Sequence, residues 1–432
     1  MKTLRLAEDS AELIIEKLEQ RGRFSIESVE DEVQKIIDNV RSLGDQAVLG
    51  YTKCFDGVDL DVDDLKVQEN EFKEAYGSLG EEEVDAIRNA ARNIRLHSAR
   101  QKVELGFRET EKGVKIAQIL RPIGRVGVYA PGGKAIYPSS VLMTAVPAKV
   151  AGVKEVILCT PSKKDGKIAS SMLVAAREAE VDAVFKVGGA QAIAAMAYGT
   201  DSIPKVDKIV GPGNIYVTAA KILVSRDVAI DNPAGPSEIM ILADEAANPR
   251  FIAVDMIAQC EHDPDALAVL VTTSDALARS VVEQIGQMKA VRRLRIVDKA
   301  LEEGCWIFLA SSVQEAVKLV NRLAPEHLEI LVKDPSPVLG KVENAGAIFV
   351  GEYSPVAAGD YAVGSNHVLP VGGYARTYSG LSVRDFTKTI DVVSCTKDGL
   401  RRLEKTIRTL ADLEGLEAHW KSVSVRLEDE VR

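Results

Sequence analysis

The sequence is poor in the residues from which most reactive centres are built. Its 432 residues hold five histidines and five cysteines, aromatic residues make up 5%, and tryptophan occurs twice. The cysteines (Cys54, Cys159, Cys260, Cys305 and Cys395) are scattered, and the nearest two are 45 residues apart. That spacing excludes a CxxC redox motif and a zinc ribbon, and an odd, dispersed set suits a reducing compartment. Excess positive charge is absent as well. The formal net charge is −10, which argues against a general nucleic-acid binder and against docking on anionic lipid. Long apolar runs are missing. The most apolar stretch, 141–153, is broken by Thr144, Pro147 and Lys149 and is too short to span a bilayer. The first twenty residues, MKTLRLAEDSAELIIEKLEQ, are acidic and helix-patterned without the apolar core of a signal peptide. The expectation is a soluble, cytoplasmic protein with neither membrane nor nucleic-acid partners.

Against these absences stand 46% hydrophobic residues and length enough for about three domains. The first hundred residues read as helices. In 81–103, Val84, Ile87, Ala91, Ile94 and His97 fall on one face with charges opposite, which marks His97 for packing. Strands are predicted at 114–123 and 126–130, followed by the turn Pro131-Gly132-Gly133. A strand–helix alternation follows: strands at 156–160, 183–187 and 208–210, helices at 169–179, 190–198 and 215–224. It resumes after 238 with helices at 250–259, 275–288 and 313–323, and strands at 268–272, 294–297, 306–310 and 328–332. Such alternation implies parallel sheets covered by helices, and hence an α/β fold in two blocks. Residues 351–382, rich in Gly, Ser and Tyr, form a long irregular segment of the kind that carries function. The last fifty residues read as a small strand-and-helix piece.

The nicotinamide fingerprint GxGxxG is missing. Gly211-Pro212-Gly213-Asn214 and Gly188-Gly189-Ala190-Gln191 each follow a strand and open a helix, where backbone N–H groups suit a phosphate, although tight βα turns use glycine in any case. Gln259 and His262 stand three apart on a predicted helix, within roughly 5–6 Å at Cβ, and could share one metal ion. Cys260 points about 200° from His262 and cannot join them. A lone histidine on a helix is also commonly structural. Glu326-His327, in APEHLEI, pairs a carboxylate with an imidazole at a helix–strand junction, a combination suited to proton transfer, though both could be solvated loop residues. Asp360 lies in AAGDYAVGSNH with His367 seven residues on, and His367 has no assigned role. Glu414 and His419, in LEGLEAHW, could act together only across a bend near Gly415.

Taken together, the motifs resemble the histidinol dehydrogenase family over essentially the whole chain. The resemblance is carried by RPIGRVGVYAPGGKAIYPSSVLM (121–143), VGGAQAIAAMAYGT, KIVGPGNIYV, DNPAGPSE, the Gln259–His262 segment, APEHLEI, GDYAVGSNHVLPVGG and LEGLEAH. Cys260 departs from the small residue expected there. The resemblance implies two Rossmann-like parallel-sheet domains, one inserted in the other, with small N- and C-terminal pieces in an intertwined homodimer. The expected division is a helical piece at 1–25, a discontinuous α/β domain at 26–125 and 238–380 carrying the metal and acid–base residues, a cofactor domain at 126–237, and a C-terminal piece at 381–432 that completes the partner subunit's site.

The resemblance also implies NAD-dependent oxidation of L-histidinol through L-histidinal to L-histidine, with one zinc ion per subunit. Gln259, His262, Asp360 and His419 match the zinc ligands, and Glu326 and His327 match the acid–base pair. Ser237, Gln259, His262, His327, Asp360, Glu414 and His419 match substrate contacts, and Tyr129, Gln191 and Asn214 match cofactor contacts. A metal without thiolate ligands, held by two nitrogens and by oxygen donors, leaves room for substrate. Competing readings are a related zinc/NAD dehydrogenase acting on another small alcohol, and a metal-dependent hydrolase using Glu326 to activate water.

Overall fold

The computed structural model describes residues 2–21, 26–102, 106–132, 136–232, 235–288 and 293–428. Val103, the expected end of the helix at 81–103, and Gly133 of the predicted turn lie outside these residues, as do parts of the 121–143 and DNPAGPSE motifs.

The fold is mixed α/β with two parallel sheets. The first strand, β1 (Lys2–Arg5), is followed by β2 (Arg108–Glu111), β3 (Val114–Pro122), β4 (Arg125–Tyr129), β5 (Glu155–Cys159), β6 (Ala183–Phe185), β7 (Lys208–Val210) and β8 (Ala229–Ile230). Then come β9 (Glu238–Ala243), β10 (Leu267–Thr272), β11 (Cys305–Leu309), β12 (His327–Leu331), β13 (Ala347–Val350) and β14 (Thr387–Cys395). A five-stranded sheet runs β6-β5-β4-β7-β8, and a six-stranded sheet runs β1-β11-β10-β9-β12-β13. Every pairing within both is parallel. Strands covered on both faces are nearly continuous apolar runs, and EIMILA and LAVLVT, apolar but for Glu238 and Thr272, are buried at all six positions. The third sheet, β14-β3-β2, is antiparallel.

Three expectations need correcting. Residues 294–297 are the start of a helix, Leu294–Glu303, rather than a strand. Val297, Ala300 and Leu301 pack at helical spacing, a period that a four-residue window cannot reveal. The first hundred residues are not all helical, because Lys2–Arg5 adds an edge strand beside β11, a pairing decided at a distance of 300 residues. His97 is exposed and Ser98 is buried. The packed face of helix Glu81–Ala99 runs Val84, Ile87, Ala91, Ile94, Ser98.

The helices between 26 and 102 also pack elsewhere than the division at 26–125 supposed. Val33, Ile36, Ile37 and Val40 join Ile193, Ala197, Val217 and Ala220 in one core, and Val84, Ile87, Ala91 and Ile94 join Val141, Met143 and Leu173 in another. Both cores belong to the five-stranded sheet. An amphipathic helix declares that it has an apolar face, but not which sheet's helices will cover it.

Each parallel sheet changes winding direction once, between β4 and β7 in one and between β9 and β12 in the other. The candidate site residues other than Glu414 and His419 lie near these two places.

Candidate active site

Helix Val313–Leu323 is stopped by Ala324, which takes a left-handed conformation (φ 48°), and Pro325 leads into Glu326. β12 then starts at His327, beside the start of β9 at Glu238. One residue's backbone holds both reactive groups. The Glu238 N–H donates to Glu326 Oε2 at 2.7 Å, and the Glu238 carbonyl accepts from His327 Nδ1 at 2.9 Å. Because a carbonyl can only accept, the histidine proton sits on Nδ1 and the Nε2 lone pair is free. Nε2 is buried without a hydrogen-bond partner among the described residues, 3.8 Å from Asp360 Oδ1. Phe349 lies against the imidazole ring.

Burial dominates the electrostatics of the site. It holds the His327 imidazole down to about 4, so the ring is neutral at physiological pH. The same desolvation pushes the Glu326 carboxyl well above its ordinary value, with Glu238 and Asp360 adding repulsion against the bond from the Glu238 N–H. Asp360 is raised to about 7 by burial alone.

Gln259 and His262 reach this edge because helix Pro249–Cys260 runs back from the far end of β9. His262 lies in the turn just past the helix, rather than on it, and its N–H bonds to the Gln259 carbonyl at 3.2 Å. Cys260 points into the core with Sγ 3.4 Å from that of Cys305, and the two are not bonded. Asp360 comes from a short helix, Val356–Tyr361, inside the segment expected to be irregular. Ser237 immediately precedes Glu238. His367, which had no assigned role, is a half-buried strut: Nδ1 donates to the Asp360 carbonyl (3.2 Å), and Nε2 meets Ser140 Oγ (3.3 Å). Glu414 and His419 are not brought here. Both are exposed in the C-terminal helical hairpin, where the chain does bend, at Gly415 (φ 68°).

Gln259, His262 and Asp360 are the residues at this edge that could hold a metal. Gln259 is buried with an amide nitrogen that has no partner among the described residues, and a flip of the amide would offer oxygen instead. The Asp360 carboxylate receives no hydrogen bond among the described residues, and burial holds His262 toward its neutral, ligating form. An amide oxygen, a carboxylate and a neutral imidazole are donor types that a divalent cation accepts. No group of three or more His, Cys, Asp or Glu among the described residues could hold one alone.

Tyr129, Gln191 and Asn214 collect at the carboxyl edge of the five-stranded sheet. Tyr129 ends β4, and its hydroxyl accepts from the Gly189 N–H at the start of helix Gly189–Tyr198. Gln191 is buried, and neither amide atom has a hydrogen-bond partner among the described residues. Asn214 is exposed and caps helix Ile215–Val224, its side chain accepting from the Val217 N–H. Between them Gly211 has φ 122°, and a Cβ there would lie 2.0 Å from the Tyr129 carbonyl oxygen, so no other residue fits. The buried ion pair of Lys221 and Asp231 grips this glycine from both sides. Lys221 donates to its carbonyl, and its N–H donates to Asp231. Sequence reasoning missed Lys221, Asp231 and Glu238. The first two sit in unremarkable contexts, and Glu238 acts through its backbone.

The chain is similar to known proteins over nearly its whole length. Residues 19–427 match the family model described as histidinol dehydrogenase. The chain is 48% identical over 421 residues to a histidinol dehydrogenase of Methanosarcina mazei, covering 97% of this chain and 96% of that one. It is 48% identical over 416 residues to that of Methanothermobacter thermautotrophicus, covering 96% and 97%. The crystal structure of histidinol dehydrogenase from Elizabethkingia anophelis superposes with a TM-score of 0.94 at 38% identity, covering 99% of this chain and 98% of that one. The chain is an oxidoreductase and belongs to the histidinol dehydrogenase family.

Proposed function

We propose that this chain oxidises L-histidinol to L-histidine by way of bound L-histidinal, the final steps of histidine biosynthesis, with two hydrides passing to two NAD molecules. The observation that carries the reading is the Glu238 peptide group, which holds Glu326 on one side and His327 on the other and leaves His327 Nε2 bare toward Asp360.

Gln259, His262 and Asp360, joined by His419 of a second copy, would hold zinc. When bound, the ion supplies a cationic anchor for the imidazole and amine of the substrate. NAD, contacted by Tyr129, Gln191 and Asn214, supplies the hydride acceptor. The chain's own groups move the protons. His327 takes the hydroxyl proton at Nε2 as the carbinol carbon loses its hydride, giving the aldehyde. Glu326, aided by His327, takes a proton from water as the water oxygen bonds to the aldehyde carbon. The resulting hydrate anion gives up the second hydride to become the carboxylic acid, which loses its proton and leaves as the carboxylate. Ser237 and Glu414 would complete the substrate contacts, and burial of Gln259, Glu326, His327 and Asp360 protects the aldehyde.

Division of labour follows the sheets: 126–237 for the cofactor, 238–380 for metal and acid–base groups, and 381–432 for completing the site of a second copy. Support for the exchange comes from the exposed positions of Glu414 and His419, and from Leu410, Leu413 and Leu416, apolar yet exposed beside them. Five free cysteines accord with a reducing cytoplasm, and no described helix is long and apolar enough to cross a membrane.

The decisive test is stoichiometric. Absorbance of NADH formed from L-histidinol should reach two NADH per histidinol consumed, and one per histidinol would refute the second oxidation. Mixing an E326Q chain with an H419N chain should restore activity if sites are shared, and an inactive mixture of dimers excludes sharing.

A further inference from the structure

We propose that the buried ion pair of Arg21 and Glu238 is the positioning device of the acid–base pair. The proposal rests on the reading of Glu326 and His327 as the reacting groups. Both are held by the peptide group of Glu238. Whatever sets the place of that peptide therefore sets the aim of the proton acceptors.

The Glu238 side chain is tied on three sides. Arg21 Nε and Nη2 each donate to one of its carboxylate oxygens at 2.8 Å, and the Gly372 N–H donates to Oε1 at 2.8 Å. Arg21 reaches further. Its Nη2 also donates to the Leu323 carbonyl at 2.7 Å, and its Nη1 to the Leu18 carbonyl at 2.5 Å. Leu323 ends the helix that delivers Glu326 three residues later. One guanidinium thus fastens the start of β9 to the segment entering β12, the two backbones between which the acid–base hydrogen bonds run. Through Gly372 the same carboxylate ties in the segment that carries Asp360.

The Glu238 side chain is buried and that of Arg21 is mostly covered, with relative exposures of 4% and 13%. Arginine suits this task because its planar fork serves the carboxylate with two parallel bonds and keeps further N–H groups for carbonyls, which a lysine ammonium cannot do at the same points. A buried ion pair is weak grounds for inferring stability alone. Its contacts are better explained by the need for geometry, because those to the Glu238 carboxylate and the Leu323 carbonyl fix the two backbones between which the Glu326 and His327 hydrogen bonds run. Arg21 touches no reacting atom.

The test is single-turnover oxidation of L-histidinol by zinc-loaded R21M and R21K enzymes, which separates the rate constant from the fraction of active molecules. Misplacing the acceptors should lower the rate constant about 10- to 100-fold in R21M, with amplitude, zinc content and KM for NAD unchanged and R21K recovering part of the loss. R5Q, which breaks the exposed Arg5–Asp275 pair, is the control and should behave as the parent. A folded R21M that keeps the parental rate constant, or loses only amplitude, overturns the proposal. Should R21M fail to fold, R21K decides: a slowed rate constant supports positioning, and a parental one overturns it. H327A measured alongside keeps the two ideas apart. If H327A turns over at the parental rate, the acid–base reading itself is wrong. If H327A is slow and the Arg21 variants are not, only the positioning role falls.

Discussion

The two parallel sheets use opposite edges. The five-stranded sheet presents Tyr129, Gln191 and Asn214 at its carboxyl edge, the usual place for a nucleotide in an open α/β sheet. The six-stranded sheet presents Glu326, His327 and the start of β9 at its amino edge. The difference is electrostatic. Helices begin where parallel strands end, so a carboxyl edge shows helix N-termini and their free N–H groups, which suit an anionic diphosphate. At an amino edge the helices finish, as Pro249–Cys260 and Val313–Leu323 do here, and their carbonyl ends suit a divalent cation and a substrate ammonium. The edges meet because Asn366 and His367, beside Asp360, bond to Met143 and Ser140 in the helix that follows β4. Each edge also carries a buried ion pair that grips backbone: Arg21–Glu238 at one, Lys221–Asp231 at the other.

If the edges divide chemistry from cofactor binding, substitutions should divide in the same way. The largest effect is expected from H327A, which should lower kcat about 10³-fold while leaving KM for NAD near the parental value. A comparable rise in KM for NAD would blur the distinction. E326Q should slow the second oxidation more than the first, and equal losses in the two half-reactions, measured separately from histidinol and histidinal, would end that assignment. H262N should lose bound metal and activity together, and retention of both would remove His262 from the ligand set.

At the other edge K221M should do the reverse. It strands a buried Asp231 carboxylate, which costs about 3–5 kcal/mol of stability, and it frees the Gly211 turn. Urea unfolding should show the loss, and KM for NAD should rise more than kcat falls. Adding D231N should return stability without restoring KM. A double variant that recovers both would mean that the pair serves folding alone.

These contrasts also explain what could be read in advance. Residues 208–210, 215–224 and 313–323 lie in the structure as their patterns predicted, since parallel strands and amphipathic helices write burial directly into sequence. Glu326 and His327 are neighbours in the chain, so their pairing was visible. The Glu238 contribution was not, because any residue has the same N–H and C=O. Arg21 and Glu238 lie 217 positions apart, and nothing local to either marks the contact. The packing of 26–102 on the five-stranded sheet was hidden for the same reason. His419 shows the limit from the other direction. Its motif carries the family resemblance, yet a single copy leaves it exposed and away from the site.

The smallest effect concerns a carboxyl pair behind the amino edge. Asp255 and Glu329 share a buried space, and desolvation raises Asp255 to about 6 and Glu329 to about 8. Glu329 Oε1 accepts from the Val356 N–H at 3.0 Å, at the start of the short helix that bears Asp360. A raised carboxyl pKa means the folded chain holds protons that the unfolded chain has released. The stability this contributes is fully present below the unfolded values of about 4 and is lost as pH climbs through about 6 and then 8. The parent should therefore melt several degrees lower at about pH 9 than at about pH 5. E329Q keeps an acceptor for Val356, gains a donor toward Asp255 and has no charge to bury, so most of that decline should vanish. Equal declines in the two chains would show that the pair is not its source. A flattened melting profile in E329Q with the kcat profile unchanged would show instead that this edge's charge economy serves folding at Glu329 and chemistry only at Glu326 and His327.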